Sequence, residues 1–320
     1  MSKGIPSWEN YWSGVADVGA YSGGGVNHPS IDSFWKTYLS TYSKKLFDAQ
    51  EYRILDVCAG NGALISQMQS TLLNVNINIS AIDYSESAIR QIEKQFPHVQ
   101  AIVADASAIP FNKNFKLIIS QFGIEYAGKN AFAEVARVTE KNGTVALMMH
   151  IKDGVIYRES IDNIRVINKL NDSDVIEVTS KTFVCGIDSL KTGNREDFEA
   201  LSQEFAEKVR VLEGIMHDYG KNAAGGLVIQ FYNDIANIYE NLGAYDADEL
   251  ERWLMSLRSE LLLYRTRMES MVEAALDSAA FDDIITLLKS KQFTIEIADM
   301  LFSPNQLNPL AWVLVAHNNS

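Results

Sequence analysis

The chain has 320 residues, of which 47% are hydrophobic and 22% charged, and this globular balance excludes wholesale disorder. Its 28 basic and 41 acidic residues give a net charge of −13, which argues against a nucleic acid as partner because phosphate backbones require a basic surface. Two cysteines cannot build a disulfide scaffold or an ordinary cysteine-based zinc site, and we expect no metal.

Residues 1–50 are predicted to form an N-terminal arm followed by a helix. The arm places several aromatic residues beside the flexible run Gly23-Gly24-Gly25. Such a segment either folds over a ligand or packs on the core as an ordinary terminal arm, and the sequence leaves both readings open. The helix is predicted to begin after Pro29 with Ser30 as its N-cap and Asp32 in its first turn.

From Arg53 onward the sequence alternates between short apolar strands and amphipathic helices. Strands are predicted at 53–57, 76–83, 99–104, 115–121 and 144–149. Helices are predicted at 62–73, 85–96 and 130–141. A final helix and two strands are predicted at 281–291, 293–301 and 311–317. This alternation is typical of βαβ units, and it predicts an α/β fold whose mostly parallel seven-stranded, Rossmann-like sheet ends in an antiparallel last strand.

Residues 151–278 interrupt this alternation with a long, mostly helical stretch. Apolar residues recur at helical spacing in two runs, and the second run opens at Asp246 with Glu249 three positions later, a capping signature. The stretch is far longer than an ordinary connection between two elements. We therefore expect three parts: the arm and helix at 1–50, a ligand-binding domain at 51–150 and 279–320, and a helical insertion at 151–278.

The strongest local signal is the turn that follows the first strand. Asp56 comes at the strand end, and Ala59, Gly60 and Gly62 then lead into a helix. Glycines let a ligand approach the backbone, and a helix N-terminus offers unpaired N–H groups. A nicotinamide-type loop requires a third glycine, which is missing here, and Asp56 would repel a pyrophosphate. The turn therefore favours a ligand with a positive amine or sulfonium.

This segment resembles the first motif of class I S-adenosylmethionine-dependent methyltransferases, except that Cys58 stands where the family usually has glycine. The segment from Asp105 to Phe111 is similar to the family's D-A-x-x-L-P-F segment, and Phe132 to Thr144 resembles its E-x-x-R-V-L-K-P-G-G segment with Asn142 in place of proline. The resemblance covers roughly residues 50–150 and 281–318 and implies the same fold.

The resemblance implies S-adenosylmethionine as cofactor, with S-adenosylhomocysteine as product. It implies that Asp83 accepts hydrogen bonds from the ribose hydroxyls, that Tyr84 packs on the adenine and that Asp105 accepts from the adenine amino group. The implied cofactor-binding residues are Asp56, Ala59, Gly60, Gly62, Asp83, Tyr84, Asp105, Ala106 and Gln121.

Candidate residues for the methyl acceptor follow the fourth and fifth strands. Glu125 and Tyr126, together with Tyr21 of the arm, are candidate substrate contacts, and His28 and His150 are candidate general bases. For each histidine a structural role is the alternative. The family's N/D-P-P-Y/F segment, which marks enzymes acting on amino groups of bases or on glutamine amides, is absent at Ser120–Tyr126.

The sequence therefore predicts an enzyme that transfers a methyl group to an organic small molecule, apolar or aromatic in character, by in-line displacement. The helical insertion would then be a lid that shapes the acceptor pocket. Alternatives are a protein methyltransferase and a non-catalytic cofactor-binding protein that uses the insertion to bind a partner. The insertion also offers a surface for homodimerisation. No apolar run approaches the length of a membrane span and the first residues lack an apolar signal, so we expect a cytoplasmic protein.

Overall fold

A computed structural model describes residues 5–14, 28–44, 51–73, 75–112, 115–304 and 307–320. The chain divides into two compact units: Met1–Arg158 with Ser270–Ser320, and Glu159–Glu269. The second unit falls inside the predicted insertion, 151–278. The role of that insertion as a lid stays a prediction.

The first unit contains a seven-stranded sheet. Its strands are β1 Tyr52–Val57, β2 Ile77–Asp83, β3 Gln100–Val103, β4 Phe115–Gln121, β5 Thr139–His150, β6 Phe293–Phe302 and β7 Pro309–Asn318. Their order across the sheet is β3-β2-β1-β4-β5-β7-β6. Strands β1 to β5 pair in parallel, and β7 runs antiparallel to both of its neighbours, β5 and β6. This confirms the predicted fold class.

Helices of the first unit cover both faces of this sheet: α2 Pro29–Ser43, α3 Ala63–Thr71 and α4 Glu86–Gln95 lie on one face, and α5 Lys129–Val138 and α11 Ser278–Ser290 lie on the other. The unit also contains α1 Ile5–Gly14 and the first residues of α6 Val155–Asp172. Successive strand residues point to opposite faces, so Ile54 of β1 joins the apolar cluster with Trp35 of α2, while Leu55 joins the cluster with Phe132 of α5. A parallel sheet covered on both faces is expected to have such continuously apolar strands.

The start of α2 differs from the prediction. His28, not Ser30, is the N-cap: its backbone is extended, and its ring Nδ1 accepts a hydrogen bond from the Ser30 N–H at 3.3 Å. Pro29 then occupies the first helical position, where its fixed φ suits the helix and its missing N–H removes no intrahelical bond. The proline therefore sets the helix boundary two residues earlier than the Ser30 cap would have done.

The end of α5 was also predicted wrongly, because the helix stops at Val138 and not at Lys141. Thr139 is extended, pairs with Phe115 of β4 and donates its hydroxyl to the carbonyl of Val135 at 2.7 Å. Residues 139–142 thus begin β5, which runs for 12 residues. Pairing with a neighbouring strand outweighs the local helical pattern, since β-branched threonine suits a strand.

The second unit is helical and has a core of its own. Besides most of α6 it contains α7 Val175–Thr192, α8 Glu196–Tyr219, α9 Leu227–Glu240 and most of α10 Ala247–Ala274. The predicted cap at the start of α10 is confirmed, because Asp246 Oδ1 accepts hydrogen bonds from the N–H groups of Asp248 and Glu249. Within the described ranges of the chain, no helix combines the length and apolar character that crossing a membrane requires.

Candidate functional site

A cavity of about 430 Å³ lies where the parallel strands of the first unit reach their carboxyl ends. Open α/β sheets bind ligands at this edge, next to the point where the strand order reverses, here between β1 and β4. Eight of the nine predicted cofactor residues line the cavity: Asp56, Ala59, Gly60, Asp83, Tyr84, Asp105, Ala106 and Gln121. The ninth, Gly62, is not among the lining residues and serves as the N-cap of α3.

The turn after β1 requires left-handed backbone at three positions. Gly60 has φ +55° and Gly62 has φ +91°, and a Cβ on Gly62 would lie 2.6 Å from the ring of Phe96. Cys58 also has a positive φ of 57°, so the turn accommodates a Cβ where the family usually has glycine. The Gly60 N–H donates to Asp83 Oδ2 at 2.9 Å, which ties this turn to the end of β2.

Asp56 is a buried carboxylate at the end of β1. Only 1% of its surface is exposed, and its Oδ2 has no hydrogen-bond partner within the described part of the chain. Burial raises the pKa of Asp56 well above its usual value, and the neighbouring charge of Asp83 raises it further. A positively charged ligand group would relieve this cost, because burying an unpaired charge is strongly unfavourable.

Asp83 and Asp105 accept hydrogen bonds from backbone N–H groups, and their carboxylate oxygens can still accept further hydrogen bonds from a ligand. Asp83 Oδ1 accepts from the Ser85 N–H at 2.8 Å, and Asp105 Oδ1 accepts from the Ser107 N–H at 2.8 Å. A carboxylate offers about four acceptor positions, so two backbone bonds to Asp83 leave room for two hydroxyl groups. Burial raises the pKa of Asp83, while its backbone donors oppose that shift. Tyr84, beside it, is half exposed.

These residues fit S-adenosylmethionine. The orphaned carboxylate oxygen of Asp56 suits the ammonium of the methionine part, and the spare acceptors of Asp83 suit the ribose hydroxyls. At Gly60 a Cβ would meet the ring of Trp12 at 2.7 Å, so only glycine lets the turn and that ring lie so close. This cofactor would supply an electrophilic methyl group on a sulfonium.

The residues after β4 and β5 also contribute to the site. Glu125 lies in a short 3₁₀ turn, Ile124–Ala127, and its Oε1 accepts from the backbone N–H of His150 at 2.8 Å. Tyr126 and His150 line the cavity, whereas Glu125 is buried and is not among the lining residues. The ring of His150 stacks on Phe122 with centroids 4.6 Å apart. The carboxyl group of Glu125 thus joins the turn after β4 to the end of β5.

Burial shifts the pKa values of His150 and Glu125 in opposite directions. It lowers the pKa of His150 to about 3, so the imidazole is neutral and a weak base at physiological pH. It raises the pKa of Glu125 to about 7, against the opposing effect of the His150 N–H donor. The group poised to exchange a proton near neutrality is therefore the buried carboxyl, and the imidazole is suited to hydrogen bonding.

The two remaining candidates from the sequence lie elsewhere. His28 caps α2 and does not line the cavity. Tyr21 falls at 15–27, outside the described residues. The structure therefore assembles His150 and Tyr126 at the cavity, with Glu125 directly behind them, and gives His28 a helix-capping role.

Helix α1 supplies two cavity residues that the sequence analysis did not select. Trp8 and Trp12 both line the cavity. Glu9 holds the helix in place: its carboxylate accepts hydrogen bonds from the Ser85 hydroxyl and from the hydroxyl and N–H of Ser87. The only sequence signal was the density of aromatic residues before the glycine run. Ile156 and Met271 also line the cavity, and no local motif marked them.

Comparisons with known proteins agree with the motifs. Residues 54–143 match the family model described as the methyltransferase domain. Over 127 residues the chain is 27% identical to the ubiquinone/menaquinone biosynthesis C-methyltransferase UbiE of Campylobacter jejuni. The aligned segment covers 38% of this chain and 54% of that protein. Over 98 residues it is 30% identical to the demethylmenaquinone methyltransferase of Renibacterium salmoninarum, covering 30% of this chain and 40% of the relative.

Among solved structures, the chain is similar to the plantazolicin methyltransferase BpumL in complex with SAH. That likeness covers 98% of this chain and 95% of the other, with 12% identity and a TM-score of 0.47. The chain spans about half the length of the curated relatives it matches.

Proposed function

We propose that this chain, which carries a class I S-adenosylmethionine-dependent methyltransferase domain, transfers a methyl group from that cofactor to an organic small molecule. The match of residues 54–143 to the methyltransferase-domain model confirms the family and the cofactor that the motifs implied. The activity of the whole chain and the class of its substrate are proposals.

The observation that carries the proposal is one cavity whose lining combines two chemically different sets of residues. Asp56 and Asp83 provide unused carboxylate acceptors beside the glycine turn. Phe122, Tyr126 and His150 provide an aromatic surface. Such a cavity can hold a nucleotide-like cofactor and an acceptor together, which supports an enzyme over a protein that only binds the cofactor.

The residues of the chain would act mainly by placement. In-line transfer forms a bond between the acceptor's lone pair and the methyl carbon, and the carbon–sulfur bond breaks with its electron pair on sulfur. The acceptor must lie about 3 Å from the methyl carbon, with water excluded. The aromatic lining favours that exclusion. A small-molecule acceptor is supported by the cavity itself, since a protein substrate calls for an exposed docking surface.

The test is calorimetric titration with S-adenosylhomocysteine. The unaltered chain is expected to bind it, and Asp83→Ala is expected to bind at least tenfold more weakly, because the variant loses both ribose acceptors and the partner of the Gly60 N–H. NAD should give no heat. Asp283→Ala, which removes an exposed carboxylate from α11, is the matched control and should bind like the unaltered chain. Absence of binding by the unaltered chain would contradict the proposal.

A further inference from the structure

Four aromatic rings of the cavity lining contact one another, and together they form what we term the aromatic wall: Trp8, Phe122, Tyr126 and His150. Trp8 meets Tyr126 edge to face with ring centroids 5.8 Å apart. Tyr126 meets His150 in the same manner at 5.8 Å, and His150 stacks on Phe122. The rings thus brace one another from α1 through the turn after β4 to the end of β5. Such a surface favours flat ligands.

Two polar atoms of the aromatic wall are buried and lack partners. Neither the Tyr126 hydroxyl nor His150 Nδ1 has a hydrogen-bond partner among the residues that the structure describes. The side-chain oxygen of Gln121, another lining residue, shares this condition. Buried polar groups are nearly always paired, and an orphan costs free energy until something binds it. A ligand with a group that both donates and accepts hydrogen bonds would pair these atoms.

The charges around the cavity select against charged acceptors. The acidic residues of its described lining are Asp56, Asp83 and Asp105, and that lining contains no Lys or Arg. His150 is neutral. A carboxylate or phosphate bound against the aromatic wall would therefore find no basic side chain among the described lining residues and would lie in a cavity that contains three acidic ones.

A cationic acceptor is disfavoured for a different reason. The methyl donor would carry its own positive charge on sulfur, next to the methyl group that is transferred, and a second cation there would be repelled. Asp56 and Asp83, which could offset such a charge, lie at the turn that is expected to hold the cofactor. The acceptor group that meets the aromatic wall must then be uncharged.

We propose that the aromatic wall is the acceptor subsite for an uncharged, planar molecule that bears a hydroxyl group, held by the Tyr126 hydroxyl and His150 Nδ1. This inference rests on the proposed function and names its substrate class. It assigns His150 and Tyr126 to substrate orientation by hydrogen bonding. It also assigns Trp8, from a helix outside the matched methyltransferase domain, to substrate binding.

The experiment measures binding of three matched probes to the full chain saturated with S-adenosylhomocysteine at pH 7.5. The probes are 2-naphthol, which is neutral, 2-naphthoate, which is anionic, and 2-naphthylmethylamine, which is cationic. Calorimetry is expected to show that 2-naphthol binds at least tenfold more tightly than either charged probe. Tyr126→Phe keeps the ring and is expected to weaken 2-naphthol binding about tenfold, the usual effect of losing one hydrogen bond.

Tyr219→Phe provides the matched control, since it removes a phenol hydroxyl from α8 outside the cavity lining and should leave 2-naphthol binding unchanged. Equal or tighter binding of the naphthoate or the amine would overturn the proposal, as would equal effects of the two tyrosine substitutions. Absence of 2-naphthol binding to a chain that binds S-adenosylhomocysteine would overturn the acceptor subsite and leave the proposed cofactor site standing. Absence of S-adenosylhomocysteine binding would instead overturn the proposed function.

Discussion

At the scale of single residues, burial decides the proton chemistry of the site. Glu125 and His150 are joined by one hydrogen bond and are both buried. The pKa of Glu125 is raised and that of His150 is lowered, so the carboxyl has the higher pKa of the two, the reverse of the usual order. Burial disfavours the charged form of each, so the carboxyl holds its proton more strongly and the imidazole more weakly. Between about pH 4 and pH 6 both groups are therefore mainly neutral, and the pair costs less to bury than an ion pair would.

The raised pKa of Glu125 predicts that the stability of the chain depends on pH. The pKa of this side chain rises from 4.5 to about 7 on folding, so its contribution to stability is fully present below pH 4.5 and is lost as the pH rises through about 7. The loss amounts to about 3 kcal/mol at about 1.4 kcal/mol per pKa unit. Glu125→Gln cannot ionise and should be more stable than the unaltered chain above pH 8, with no difference near pH 4. Urea unfolding at the two pH values measures this.

An exposed carboxyl on α10 supplies the control for that measurement. Glu251→Gln should change stability little at either pH, because its side chain lies in solvent. If Glu125→Gln were no more stable than the unaltered chain at pH 8, the raised pKa of Glu125 would be wrong.

Cys58 departs from the family's usual glycine in the turn after β1, yet the turn keeps its backbone conformation. The family usually has glycine there, and the structure gives Cys58 the left-handed backbone that glycine adopts freely. The Cβ fits because Gly123 lies opposite, where an added Cβ would come within 2.4 Å of the Cys58 Cβ. Gly123 therefore leaves the space that the Cys58 side chain occupies, which the sequence of the turn alone could not indicate.

At the scale of elements, α1 completes the site although it precedes the matched domain. It is attached through Glu9, whose carboxylate receives hydrogen bonds at the N-terminus of α4, and through Trp8, whose indole N–H donates to the Ser270 hydroxyl at 3.1 Å. Burial alone would raise the pKa of Glu9, but the donors from Ser85 and Ser87 outweigh it and lower the pKa. A negative charge at a helix N-terminus is stabilising.

Substitution of Glu9 tests this attachment. Glu9→Gln removes the charge from bonds made by Ser85 and Ser87, so the amides of α1 should exchange hydrogen severalfold faster than in the unaltered chain, as measured by mass spectrometry. Glu86→Gln removes a neighbouring exposed carboxylate from the first turn of α4 and should leave α1 exchange unchanged. Unchanged exchange in both variants would show that Glu9 does not hold the helix.

The boundary between α5 and β5 shows why the ends of helices and strands cannot be predicted from a local sequence pattern alone. Residues 130–141 carry a convincing helical pattern, but Thr139 pairs with Phe115, a residue far away along the chain. The Gly143 position then passes so close to β4 that an added Cβ would lie 2.9 Å from the Phe115 carbonyl oxygen. Sheet pairing is a non-local interaction, so a local pattern cannot reveal where it begins.

At the scale of the whole molecule, the chain contains two units with separate apolar cores. The sheet of the first unit is packed on both faces, and the second unit has its own cluster, which includes Val166, Phe183, Phe231 and Leu257. Separate cores allow separate unfolding. Ligand binding stabilises only the cooperative unit that contains the site.

Calorimetric scanning of the full chain should therefore show two unfolding transitions. Saturating S-adenosylhomocysteine should raise the midpoint of one transition by several degrees and leave the other in place, because the cavity is lined by residues of the first unit. Phe183→Ala, which opens a hole in the core of the second unit, should lower only the unshifted transition. A single transition that moves as a whole with ligand would contradict this division.

The sequence by itself determined the fold class, the order of strands and helices along the chain, and the strand-end residues that line the cavity. It could do so because strand alternation, helix caps, turn glycines and strand-end acids are local signals, and each occupies a few consecutive residues. Only the tertiary structure decided that α1 brings Trp8 and Trp12 to the cavity. It also decided that His28 caps a helix while His150 lines the cavity, and that Glu125 is buried behind the lining. Burial and contact between distant segments set those outcomes, and neither is written in a local pattern.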